Sequence, residues 1–314
     1  MTALDKILCE EKPHVVLVQG DTSSALAGAI AAFHRKISVG HVEAGLRSGD
    51  PQSPFPEEMN RRLISQIAAY HFAATGHNLE MLVSEGFNPD NVFVTGNPVV
   101  DSLQQIARDF ESSEKIKALL SETDGAKRIL LTTHRRENFG DVMSGNLRVL
   151  REFVTEHPDV SLIFPVHPNP AVRQATGEVL SAHERIHLID PLDYADFVHV
   201  LANSWLIVSD SGGVQEEAPS LGKPLLVLRE NTERPEALWS GVAKLVGNNP
   251  DVFAAMLAEN YSDETWIRSV QKIANPFGDG TAAEKIVEIL KTSLFYDSFS
   301  NESAALELEL AAVN

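Results

Sequence analysis

Two carboxylates follow short apolar runs in the front third of the chain: Asp21 after VVLVQG and Glu43 after ISVGHV. An acid carried on a strand end is well placed for general acid–base work, and two strands in sequence would bring both acids to neighbouring lips of one sheet edge. The long loop AGLRSGDPQSPFPEEMNRRL then leads through Pro56 into a helix whose first turn holds Glu57 and Glu58. A structural account competes at each position. Asp21 could cap the helix behind it, Glu43 could pair with Arg47, and Glu57 and Glu58 could complement the helix dipole or pair with Arg61 or Arg62.

The rear half gathers a different chemistry. RILLTT ends in His134, Arg135, Arg136 and Glu137, and SLIFPV ends in His167 with Pro168, Asn169 and Pro170 behind it. Cations and imidazoles at strand ends of an acidic protein suit an anionic ligand, although a solvated arginine pair is the ordinary alternative. The Ser211-Gly212-Gly213 turn offers backbone amides at a helix start, and Arg234 follows the strand PLLVL, so amides and cations suited to a diphosphate collect here. Glu216 and Glu217 stand just inside that helix. One of them is expected to accept from both hydroxyls of a ribose, and the two signals together describe a nucleoside diphosphate. Asp193, Tyr194 and Phe197 are candidates to contact the base, with a core role equally open for Phe197. His41 and Glu43 could share a metal, but no third ligand has recognisable spacing and no paired-cysteine, HExxH or GxxxxGK motif occurs, so no metal or cofactor is expected.

Positioning these groups requires strands that all point the same way. Val/Ile/Leu-rich runs lie near 15–19, 37–42, 70–74, 92–95, 128–133, 161–166, 186–189, 206–209, 224–228 and 243–246, with helical stretches between them. Continuous apolar strands alternating with helices predict parallel, doubly wound α/β sheets, whose ligands gather at the carboxyl ends. Polar residues 111–128 separate four strands from six, giving an expected first domain at 1–111, a second at 128–275 and the ligand in the cleft between them. The first domain opens so abruptly that N-terminal βα units are expected to be lacking. Thr281 is expected to cap an amphipathic helix at 281–296, and the acidic stretch 298–314 is expected to be loose.

Composition narrows the classes. With 43% hydrophobic and 22% charged residues the chain reads as globular, and 44 acidic against 26 basic residues give a net charge of −18 that disfavours nucleic acid and anionic membranes as partners. Cys9 is the single cysteine, the longest apolar run is far short of a bilayer span, and MTALDKILCEEKP has no secretory pattern, which together point to the cytoplasm.

VQGDTSS, GHVEAGLRSGD, PFPEEMNR, THRREN, PVHPNP, DSGGVQEEAPSLGKP and LRENTERPEA, in this order, resemble the non-hydrolysing UDP-N-acetylglucosamine 2-epimerases from about Asp5 to about Phe295. The resemblance implies a GT-B arrangement of two Rossmann-like domains, with the C-terminal helix crossing back to the first. It implies interconversion of UDP-N-acetylglucosamine and UDP-N-acetylmannosamine by anti elimination of UDP and re-addition, in a homodimeric enzyme of polysaccharide biosynthesis. Asp21, Glu43, Glu57 and His167 match the family's catalytic positions. His167, Phe197, Ser211, Gly212, Gly213, Glu217 and Arg234 match its UDP contacts, and His134 and Arg135 lie in a motif associated with a second, activating UDP-sugar. The family's Gly-Thr-Arg-Pro-Glu motif has no counterpart in the sequence. Two other functions fit the same residues: a GT-B glycosyltransferase, and a noncatalytic UDP-sugar-binding or regulatory protein.

Overall fold

The structure, a computed structural model, describes residues 1–135 and 138–294. Arg136, Glu137, the end of the expected 281–296 helix and the stretch 298–314 lie outside the described residues. Ten strands form where the apolar runs predict them: β1 (Val15–Gln19), β2 (Ser38–Ala44), β3 (Tyr70–Ala73), β4 (Val92–Val94), β5 (Lys127–Thr132), β6 (Val160–Pro165), β7 (Ile186–Ile189), β8 (Leu206–Ser209), β9 (Leu225–Val227) and β10 (Ala243–Leu245). Among the described residues every pairing between these strands is parallel. The chain divides into two compact units, one of Met1–Asp101 with the described residues from Phe277 onward, the other Ser102–Pro276.

The first unit holds a four-stranded sheet in the order β1-β2-β3-β4. Its helix Ser23–His34 uses small residues to lie close on the sheet, so Ala29 and Ala32 pack with Val18, Val39 and Ile64. Thr22, not Asp21, caps that helix, its side chain accepting from the Ala25 amide at 3.1 Å. Residues 282–294 are helical and set Ile286 and Leu290 against Val42 and Phe72 on the other side of the sheet. The expected Thr281 cap is not made. Thr281 Oγ1 donates to Asp279 at 2.6 Å, and the first helical amides, of Ala282 and Ala283, donate instead to Asp101 at 3.1 and 2.9 Å. A carboxylate distant in sequence thus does the work of a local hydroxyl, which no local pattern could indicate.

The second unit holds a six-stranded sheet in the order β10-β9-β8-β5-β6-β7. The chain winds outward from β5 through β6 to β7, then returns to place β8 on the opposite side of β5. The carboxyl ends of β5 and β8 therefore flank the point where the winding reverses, the usual ligand position in such sheets. Leu131, Leu147, Phe153, Leu162, Phe164 and Phe253 build its core. The polar stretch 111–128, expected to be a junction, contains the helix Glu114–Glu122. Ser113 caps that helix and donates through both its amide and hydroxyl to Asp196, at 2.7 and 2.6 Å, while Ile116 is fully buried. The unit boundary falls earlier, at Asp101/Ser102, inside the helix Pro98–Asp109.

Two histidines are sealed into the first sheet. His41 has its Nε2 2.9 Å from the Gly20 carbonyl and His71 packs against the Phe87 ring. Burial pushes each down to about 4 from 6.5. Their folded values lie below the unfolded one, so the unfolded chain takes up protons first as the solution is acidified. The stability they hold is complete above about pH 6.5 and is lost as the pH falls through about 4. Each accounts for roughly 3 kcal/mol over that window. Urea titrations between pH 7.5 and 4 are expected to show a falling midpoint, and His71→Phe should remove about half of that dependence.

Candidate active site

Glu43 occupies an irregularity in the sheet. Val42 pairs with Phe72 and Ala44 with Ala73, so Glu43 is the extra residue of a bulge, with φ of 63° in the left-handed region. A bulge re-aims one side chain out of the pleat, and a left-handed non-glycine residue costs about 1–3 kcal/mol unless its surroundings hold it. Two amides do so here: Asn97 Nδ2 donates to Glu43 Oε1 at 2.8 Å and Gln19 Nε2 reaches the same oxygen at 3.5 Å. The other oxygen faces Gly20, where a Cβ would stand 3.2 Å from Oε2. Gly20 itself has φ of 70° and carries the chain directly into Asp21.

Asp21 is held from the helix Glu57–Ile67. Arg61 Nη2 donates to Asp21 Oδ2 at 2.6 Å and Asn60 Nδ2 to the Asp21 carbonyl at 2.8 Å. Glu57 stands three and four residues ahead of these two, hence on the same helix face, and has no hydrogen-bond partner among the described residues. Glu58 has a different task. It is fully buried and accepts from the Ser48 amide, Arg61 and Arg62 at 3.0, 3.1 and 2.9 Å. Arg47 pairs with Glu85 through two bonds at 2.8 and 2.7 Å, not with Glu43. The structure therefore brings Asp21 and Glu43 to adjacent strand ends with partners that orient them, and leaves Glu57 open.

In the second unit, His134 and His167 follow neighbouring strands β5 and β6 and stack with ring centroids 5.5 Å apart. Arg135 lies 3.7 Å from Glu233. Burial by itself would raise Glu233, but Arg234 and Arg229 prevail and hold it down to about 2. Arg234 donates to Glu233 at 2.7 Å and to Glu216, which fixes the guanidinium over the Ser211-Gly212-Gly213 turn. The adjacent acids thus separate into two roles: Glu216 orients Arg234, while Glu217 accepts from the Tyr194 hydroxyl at 2.9 Å. Burial raises the Glu217 pKa, and the Tyr194 bond opposes the rise. Phe197 is one turn along from Tyr194, on the same face of the helix Tyr194–Ala202.

The chain matches the family described as UDP-N-acetylglucosamine 2-epimerase over residues 1–291. The Bacillus subtilis (strain 168) UDP-N-acetylglucosamine 2-epimerase is 44% identical over 302 residues, covering 96% of this chain and 78% of that protein. The chain belongs to the UDP-N-acetylglucosamine 2-epimerase family. The Escherichia coli (strain K12) enzyme of the same name is 43% identical over 298 residues, covering 93% of this chain and 79% of that protein. Among solved structures, the S. aureus MnaA–UDP co-structure has a TM-score of 0.89 at 43% identity, covering 93% of this chain and 79% of that one. The Neisseria meningitidis UDP-GlcNAc 2-epimerase bound to UDP-GlcNAc has a TM-score of 0.85 at 41% identity, covering 93% and 80%. These relatives are enzymes, and they favour neither the glycosyltransferase nor the noncatalytic alternative.

For a member of the epimerase family, the orienting residues that local sequence reading passes over are Asn97, Glu233 and above all Asp210. Asp210 is fully buried at the end of β8 and accepts from Thr133 Oγ1 at 2.8 Å, from the amides of His134 and Arg135 at 3.1 Å each, and from Asn138 Nδ2 at 2.9 Å. Its position after LIVS was the available signal, a polar residue ending a buried strand. Gly212 is a second structural requirement, because a Cβ there would stand 2.5 Å from Arg234 Nη1 and 2.9 Å from Cζ. Gly212→Ala should cost about 1–3 kcal/mol, and clearly less in an Arg234→Ala background. Urea denaturation of the four proteins of that cycle gives the coupling.

Proposed function

We propose that the chain interconverts UDP-N-acetylglucosamine and UDP-N-acetylmannosamine as a non-hydrolysing 2-epimerase. The observation that carries this reading is Glu43, turned out of its strand by a bulge and oriented by Asn97 beside the Gly20–Asp21 turn. The proton on carbon 2 is not acidic until the anomeric bond begins to break. Catalysis therefore needs a carboxylate to take that proton as the C1–oxygen bond to UDP breaks, leaving a C1–C2 double bond. UDP then returns to carbon 1 while a proton is delivered to the opposite face of carbon 2. Bonds and electrons balance within the substrate. Asp21, Glu43 and Glu57 supply the proton chemistry. His167, Ser211, Gly212, Gly213 and Arg234 hold the diphosphate, Glu217 the ribose and Phe197 the base.

The bond from Tyr194 supports the ribose assignment for Glu217, since it fixes one carboxylate oxygen and leaves the other to accept from hydroxyls. The motif carrying His134 and Arg135 is the proposed place of the activating UDP-sugar, and the His134–His167 stack adds His134 to the diphosphate lip. The family relationship and the absence among the described residues of any helix long and apolar enough to cross a membrane support a cytoplasmic enzyme of polysaccharide precursors.

Incubation with UDP-N-acetylglucosamine in deuterated water should place deuterium at carbon 2. Asp21→Asn and Glu43→Gln are each expected to slow that exchange by at least about 100-fold with UDP affinity nearly unchanged, whereas Glu217→Ala should weaken UDP binding about 10-fold or more in calorimetry. Binding without exchange in the unaltered protein would replace the enzyme with a sugar-nucleotide sensor.

Self-association is proposed through the face of the helix Glu57–Ile67 opposite Glu57 and Arg61. Met59 and Leu63, four apart on that helix, are 41% and 44% exposed there, and Phe55, in the turn before it, is 71% exposed. An apolar stripe of that kind marks an interface between copies of the chain. Sedimentation should report a dimer, and Met59→Lys should shift it toward monomer.

A further inference from the structure

Two stacked imidazoles at one lip would ordinarily offer a ligand the same chemistry twice. Their outer nitrogens are fixed differently here. His167 Nδ1 accepts from the Asn169 amide at 3.2 Å, so that ring carries its proton on Nε2. His134 Nδ1 instead stands 3.3 Å from Oδ1 of Asp210. A lone pair at that nitrogen would meet the negative charge of a carboxylate with no exposure to solvent, which favours a proton on Nδ1 over one on Nε2. The carboxylate cannot turn away, because Thr133, the amides of His134 and Arg135, and Asn138 fix both oxygens.

We infer that Asp210 is a positioning residue that locks His134 in the Nδ1–H tautomer, so that the stacked pair presents one donor, His167 Nε2–H, and one proton acceptor, His134 Nε2, side by side. This rests on the reading of the lip as a diphosphate site. The location fits: Asp210 ends β8 and His134 follows β5, the two strands that flank the reversal of winding. Burial lowers the His134 pKa while Asp210 opposes the fall, so the carboxylate is in place to hold the imidazolium. An approaching diphosphate favours proton uptake from water at His134 Nε2, and the cation so formed lies between Asp210 and the ligand. A carboxylate serving only to tie the loop would produce neither the opposite tautomers nor the ligand-linked proton.

Histidine-selective 15N labelling of the unaltered protein tests the core of this without any ligand, with resonances assigned through His134→Gln and His167→Gln. Nδ1–H for His134 with Nε2–H for His167 is expected. The same tautomer for both rings, or Nε2–H for His134, overturns the proposal. In Asp210→Asn the His134 pKa should fall, and carbon-2 exchange should slow by about 100-fold, a loss that should shrink to less than about threefold when introduced into His134→Gln. An unshifted His134 pKa, or an equal loss in both backgrounds, also overturns it. If Asp210→Asn does not fold, the tautomers of the unaltered protein still decide. Failure of UDP to bind while the tautomers are as expected would sink the nucleotide reading and leave the positioning role standing.

Discussion

Parallel pairing is the constraint from which the rest follows. A chain that lays every strand in the same direction must return across the sheet each time, and each return begins at the same edge. Side chains that close a strand are thereby collected, whatever their separation in sequence. Asp21 and Glu43 meet this way on β1 and β2, and His134, His167 and Asp210 on β5, β6 and β8. Backbone hydrogen bonding thus does the assembling.

What assembly leaves unresolved is charge. Carboxylates at such an edge are partly or wholly removed from water and need partners of their own. The first unit uses Arg61 on Asp21 and on Glu58, and neutral amides on Glu43. The second surrounds Glu233 with Arg229, Arg234 and, further off, Arg135. Asp210 is met mainly by backbone and side-chain N–H groups with a hydroxyl. An arginine laid against a carboxylate occupies it, as Arg234 does Glu216, whereas the Tyr194 hydroxyl takes one oxygen of Glu217 and leaves the other for a ligand. The distinction separates Glu216, which serves Arg234, from its neighbour Glu217.

The strands were legible because each is a short apolar run bounded by polar or turn residues, and a buried parallel strand has little choice but to look so. Candidate acids were legible for the same reason, as polar residues ending those runs. The bulge at Glu43 was not, since it depends on register against β3, and register is a property of two segments. Nor was the division between Glu216 and Glu217, which is set by Arg234 and Tyr194 from elsewhere in the chain. The stretch 111–128 misled because a helix with a single buried stripe looks like a linker when its polar residues dominate. Its Ile116 and Leu119 are the stripe. The cap on the helix at 282–294 misled similarly, because Thr281 was the obvious local candidate and Asp101 is 181 residues from Ala282.

That distance has a bearing on how the protein is made. The first unit takes in the last described helix, yet Asp101 leaves the ribosome long before Ala282 exists. During the interval the second unit can acquire its whole core from contiguous residues, while the sheet of the first waits with the surface that Ile286 and Leu290 will cover still open to water. The half begun earlier can therefore be completed only after the half that follows it has been made, when Ile286 and Leu290 arrive to cover its sheet.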